Sequence, residues 1–130
     1  MKKFIFLIIS VILLFGFAFI ESRLYHNTIT GMQTHLSELE IIVNSNSENI
    51  ATVEIIDKYE DIKDDWEKSE GPLIMLTDYI QLEQIGISLA RMEVNIKENN
   101  TEDCKEEINI IRHICEILTK RIEVNFENIL

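Results

Sequence analysis

Proline occurs once in this chain and glycine four times, with only Gly16 among the first twenty residues. That is too little punctuation for the turns of a β-rich domain, so a helical chain is expected before any periodicity is counted. Bases are scarce as well. With Lys2 and Lys3 set aside, ten Lys and Arg face 23 Asp and Glu, a net of −13 for the residues after Ile20. Such a surface repels nucleic acid and anionic headgroups, and suits water or a basic partner. Also missing are a Gly-rich phosphate loop, HExxH, GxSxG, CxxC and any Ser, His and Asp grouping at a known spacing. The expectation is therefore a protein that is not an enzyme and has no cofactor.

Charge is absent altogether from Phe4 to Ile20, a run in which Ser10 is the one polar side chain. In hydrocarbon every backbone N–H and C=O needs an internal partner, so an apolar run of this length reads as a spanning helix. Extending it through Glu21 to Leu24 supplies spare length, with Glu21 and Arg23 snorkelling at the surface. Lys2 and Lys3 before the run predict a cytoplasmic N-terminus at residues 1–3, a single-pass cell-membrane anchor at 4–20 and an extracytoplasmic domain at 22–130. The competing reading is a signal peptide cleaved after Ala18, with Gly16-Phe17-Ala18 as its small-residue site, which would release a secreted helical protein. Phe17, Phe19 and Ile20 favour the anchor, because they continue the apolar run where a cleavage region is normally polar.

Past the run, 110 residues suffice for one small core. Met32, Leu36, Leu39 and Val43 recur at helical spacing, with Leu24 one heptad before the Gly31-Met32 pair, and predict a first outer helix over about Ser22–Val43 that continues from the span. Asn44-Ser45-Asn46-Ser47 breaks the pattern, and Asn46 or Ser47 is expected to cap a second helix ending near Glu70. Ile55, Tyr59, Ile62 and Trp66 form its stripe, widened by Val53 and Ile56, with Tyr59 and Trp66 as an aromatic core layer. The acid-rich run from Asp57 to Glu70 reads as a solvated face laced by Glu54–Lys58 and Asp64–Lys68. It lacks the central glycine and alternating acids of a calcium loop.

Gly71-Pro72 is expected to end that helix and begin a third, from Pro72 to about Lys97. Its stripe is read as Leu73, Leu76, Ile80, Ile87, Ala90 and Val94, extended by Leu82, Leu89, Met92 and Ile96. So much apolar girth predicts the most buried helix, or one that also touches something outside the domain. After Asn99-Asn100-Thr101, the last helix places Cys104, Ile108, Ile111, Cys115, Leu118 and Ile122 on one seam. The fold class expected is all-α: an N-terminal transmembrane helix, then an antiparallel up-and-down bundle of three to four helices. A homo-oligomer through the narrow first stripe is compatible with this pattern.

Cys104 and Cys115 are about 16 Å apart along one helix, too far to bridge each other, and read as small buried hydrophobes; an intermolecular disulfide is the alternative. His35 with Glu38, and His113 with Glu116, are weak metal candidates, because the order is reversed from the Glu-x-x-His of bundle di-metal sites. Asp78, Glu83 and Arg91 form the polar set of the third helix, with spacings that scatter them around it, and read as salt bridges or partner contacts.

Trp66, Leu73, Leu76-Thr77-Asp78-Tyr79, Glu83, Ile85, Leu89-Ala90-Arg91 and Ile96–Asn100 together resemble a family of bacterial proteins, the domain of unknown function 4363 family. The resemblance covers about half the chain. This sequence departs from the family pattern in having Tyr79 where histidine is common and Leu73 where tryptophan is frequent, which removes any ligand role for that histidine. The resemblance implies a short, single-pass membrane protein of Gram-positive bacteria with a multi-pass membrane protein as partner. The function expected is a non-enzymatic, membrane-anchored accessory or interaction module of the cell envelope. The alternative is a ligand- or metal-binding sensor-like helical domain.

Overall fold

In the computed structural model the backbone is described for residues 1–75 and 77–129, and side chains up to Arg121 apart from Leu76. The described residues form four helices and no strand: α1 (Lys2–Ser45), α2 (Val53–Ile74), α3 (Tyr79–Lys97) and α4 (Thr101–Ile129). Each helix packs on its neighbours in cyclic order, α1 on α2 and α4, α3 on α2 and α4, which is the up-and-down four-helix bundle.

α1 has two unlike halves within one uninterrupted helix of 44 residues, about 66 Å long. Its first twenty residues bury nothing: Phe4, Leu14 and Ile20 are each about two-thirds exposed. From Tyr25 onward it dedicates one face to the core through Tyr25, Ile29, Met32, Leu36, Leu39 and Val43. This seam corrects the expected one. Leu24 is half exposed and its neighbour Tyr25 takes the inward position, because only the Tyr25 phase continues the four-and-three spacing back from Met32.

The first connection also differs from expectation. Asn46 closes α1 rather than opening α2, its N–H bonding Ile42 and Val43 carbonyls and its side-chain amide donating to Ile42 O at 2.9 Å. Ile50 then turns inward and is fully buried. Thr52 caps α2, its Oγ1 accepting from Ile55 N at 3.3 Å. Ile55, Tyr59, Ile62 and Trp66 line the core as their spacing predicts, whereas Val53 is exposed. The Tyr59 hydroxyl reaches across to donate to Leu89 O at 2.7 Å.

Gly71-Pro72 does not end α2. The helix runs on to Ile74 because Pro72 sits in its last turn, where the missing N–H leaves only the carbonyl of solvent-exposed Lys68 to water, and Leu73, fully buried, pins the end to the core. The break falls at Met75–Asp78, and Asp78 caps α3 by accepting from Ile80 N at 3.0 Å. On α3 the inward face is Leu82, Ile85, Ser88, Leu89, Met92 and Ile96. The main stripe expected from the sequence points the other way: Ile80, Ile87, Ala90 and Val94 are all exposed. α3 is thus apolar on two faces, of which the bundle uses one, and it is not the helix buried all round. Leu76, expected on that stripe, lies outside the described residues.

The α3–α4 corner is a Schellman closure. Asn99 adopts φ 57°, its N–H bonds Ile96 O, and Asn100 N–H bonds Asn95 O at 2.7 Å. α4 then buries Cys104, Ile108, Ile111, Cys115 and Leu118 on the seam its heptad predicts; the side chain of Ile122 lies outside the described residues.

Candidate functional site

Half of one expected histidine site assembles with partners that sequence spacing does not show. His35 and Glu38 on α1 meet Lys58 and Asp65 on α2. The Lys58 ammonium bonds Glu38 Oε2 and lies 3.2 Å from His35 Nδ1, while His35 Nε2 is 3.8 Å from Asp65 Oδ2. Lys58, expected to pair with Glu54 along its own helix, crosses to α1 instead. Its proximity and bonding hold the Glu38 carboxyl below the usual glutamate range. The Lys58 ammonium thus already fills the space between His35 and Glu38. Among the described residues no grouping of three His, Cys, Asp or Glu side chains is placed to hold a metal.

Beside this cluster the α1–α2 seam opens into a shallow cavity of about 300 Å³. Gly31, whose Cβ would meet nothing within 4 Å, leaves room on the α1 side. Met32, Ile62 and Trp66 give apolar walls, and Asn27, His35, Asp65, Lys68 and Ser69 a polar rim. The Trp66 ring is buried, and its indole N–H, which lies against Gly86 of α3, has no acceptor among the described residues. The groove suits a small amphipathic group or an inserted side chain; none of its groups forms a nucleophile with an aligned base.

The second histidine pair stays apart from the first. His113 and Glu116 are exposed on α4. The polar set of α3 is likewise dispersed. Asp78 binds Arg121 at 3.1 Å, and that bond with the Ile80 N–H holds its carboxyl below the ordinary aspartate range. Arg91 lies 4.0 Å from Glu107 Oε1, and the other oxygen of Glu107 is buried with no hydrogen-bond partner among the described residues. Glu83 and Tyr79 face solvent. Both cysteines are fully buried and free, and burial pushes the thiols up to about 11 for Cys104 and about 12 for Cys115, far from the thiolate needed for redox chemistry.

Sequence spacing missed the hydrophobic surface at one end of the bundle. Ile74 and Met75 at the end of α2, and Tyr79 and Ile80 at the start of α3, are all exposed. The Tyr25 hydroxyl donates to Thr77 Oγ1 at 3.2 Å, fixing this corner beside the point where α1 enters the bundle.

An exposed apolar helix running without a break into one corner of a four-helix bundle defines the class: a small all-α protein with a long hydrophobic N-terminal arm. The chain belongs to the family described as Domain of unknown function (DUF4363), whose model matches residues 19–129. The match begins at the last two residues of the apolar run and takes in the whole bundle. No curated protein and no solved structure matches the chain.

Proposed function

We propose that this protein is a non-enzymatic, membrane-anchored interaction module of the bacterial envelope, with residues 4–20 as a single span, residues 1–3 cytoplasmic and the bundle outside the membrane. The observation that carries the reading is the two-part character of α1. Phe4–Ile20 exposes apolar side chains around the whole circumference, a surface unstable in water and stable in hydrocarbon, and the same helix then becomes one wall of the core. Lys2 and Lys3 support the orientation. The outward α3 residues Ile87 and Val94 are the surface assigned to a protein partner, of which a multi-pass membrane protein is the expected kind. The non-enzymatic part is supported by His35, tied to Lys58, and by the dispersal of Asp78, Glu83 and Arg91.

Alkaline carbonate extraction and labelling test this together. The full chain is expected in the membrane pellet, and Ser47→Cys, in an exposed turn, is expected to react with a membrane-impermeant maleimide from outside intact cells. Cys104 and Cys115, being buried, leave the background low. Recovery in the soluble fraction with a new N-terminus near Phe19 would replace the anchor by a secreted protein. Labelling only after cell lysis would reverse the orientation. The α1–α2 cavity favours a second reading, a ligand-binding sensor domain. That reading expects a small molecule to co-purify and to be lost in Gly31→Leu.

A further inference from the structure

The corner between α2 and α3 combines position, exposure and chemistry in a way the bundle itself does not use. Tyr25 is level with it through the 3.2 Å bond to Thr77, and Arg121 of α4 closes on Asp78 at the same level. Along α1, Tyr25 lies five residues beyond Ile20, about 7.5 Å. A bilayer with a hydrocarbon core of about 30 Å and a total thickness of about 40–45 Å has a headgroup layer of roughly 5–8 Å on each side. With the apolar run seated in the core, this corner therefore stands at headgroup depth.

The side chains it presents there are Met75, 88% exposed, Ile80, 63%, Tyr79, 55%, and Ile74, 42%. Pro72 is exposed beside them. Tyrosine with aliphatic neighbours is the composition that partitions to the boundary between headgroups and acyl chains. The opposite end of the bundle faces the same packing problem with the opposite result. There Ile50 is fully buried, and Ser47, Glu48, Asn49 and Asn99 meet the solvent. The far connections thus expose no large apolar side chain, the exposed Ile41 and Val53 there belonging to α1 and α2, whereas the near corner brings four exposed apolar side chains together.

We infer that the α2–α3 corner, through Ile74, Met75, Tyr79 and Ile80, is a second and interfacial membrane contact that seats the bundle end-on against the lipid surface. This deepens the anchored reading and rests on it. The occupant is lipid rather than a second copy of the chain, because an arm continuous with the bundle brings this end to the bilayer in every molecule, with no association needed. The contact is apolar rather than electrostatic. Arg121 at this level is engaged by Asp78, and although Arg23 and Lys120 are exposed at this end, the domain as a whole is net negative and repels anionic headgroups.

The full-length protein, reconstituted in phosphatidylcholine nanodiscs at one copy per disc, tests this with a nitrobenzoxadiazole probe at Met75→Cys and, separately, at Ser47→Cys. The Met75 probe is expected to emit to the blue of the Ser47 probe, to be quenched by doxyl-labelled lipid, and to be reduced by dithionite several-fold more slowly, with little change when salt is raised. A Met75 probe as accessible as the Ser47 probe, in protein that stays with the discs, overturns the contact and leaves the anchor standing. Protein that does not stay with the discs overturns both. Shielding seen in multi-copy vesicles but absent from single-copy discs overturns lipid in favour of a second chain. Tyr79→Asp with Ile80→Asp, both at exposed positions, is expected to remove the protection at Met75 while helical circular dichroism is unchanged. Retained protection in that variant also overturns the assignment.

Discussion

At the end of the bundle farther from the apolar arm, the two connections are sewn to each other by hydrogen bonds to backbone. Asn99 Oδ1 accepts from Ile50 N at 2.7 Å, its amide donates to Glu48 O at 3.1 Å, and Thr101 Oγ1 donates to Ser47 O at 2.7 Å. At the nearer end the cross-links among the described residues join side chains, Tyr25 to Thr77 and Arg121 to Asp78, around a corner that leaves Ile74, Met75, Tyr79 and Ile80 outside. The far connection buries its one isoleucine, and Ile50 N and the Glu48 and Ser47 carbonyls are tied to side chains of the facing connection. The near corner instead leaves its four apolar side chains exposed, an arrangement that the proposed lipid contact would accommodate.

The largest test of this contrast is Ile50→Ala, which should destabilise the full chain in detergent by about 2–4 kcal/mol in urea titration, whereas Met75→Ala should stay within about 0.5 kcal/mol. A similar cost at both positions would erase the difference between the ends. Asn99→Ala removes two backbone partners and places a Cβ without a compensating side chain at φ 57°, and is expected to cost about 1–3 kcal/mol. Asn99→Gly keeps the backbone geometry, so the part of the loss it does not recover measures the two side-chain bonds. Tyr25→Phe, which deletes a bond between two side chains rather than to backbone, should cost about 0.5–1 kcal/mol by the same measurement.

Acid sharpens the comparison with the smallest effect. The Asp78 carboxyl titrates below its unfolded value near 3.8 because of Arg121 and the Ile80 N–H, so its contribution is complete above that pH and is lost as pH falls through the lower folded value. Amides 79–82 should therefore gain hydrogen-exchange rate, after correction for intrinsic exchange, as pH falls below 3.8, before amides 50–52. The Asn99 ties carry no titrating group. Asp78→Asn should abolish that difference.

The regularity of a seam decided how much of it could be read from the chain. α4 alternates a single apolar face with charge, and its stripe from Cys104 to Leu118 is the buried one. α3 carries two apolar faces, so spacing admits two phases. Spacing favoured Ile80, Ile87 and Val94, while packing against α2 and α4 selected Leu82, Ile85, Leu89 and Met92. In α1 the apolar arm masks where the seam begins, and Leu24 hides the claim of Tyr25. Gly71-Pro72 misplaces a boundary because a proline in a last turn costs only a bond that water replaces. The polar residues were legible as to kind but not as to partner. That Lys58 would leave Glu54 for Glu38 depends on how two helices are rotated against each other, which spacing along either one does not contain.

Because α1 passes from Ile20 to Tyr25 as unbroken helix, arm and bundle turn together like a key and its bit. One residue inserted between them would swing every face of the bundle by about 100° and raise it by about 1.5 Å, whereas seven would return it almost to its original heading at about 10 Å greater height. In the anchored arrangement proposed above, azimuth and altitude over the bilayer would therefore be separable coordinates, each set by counting residues in one short stretch of chain.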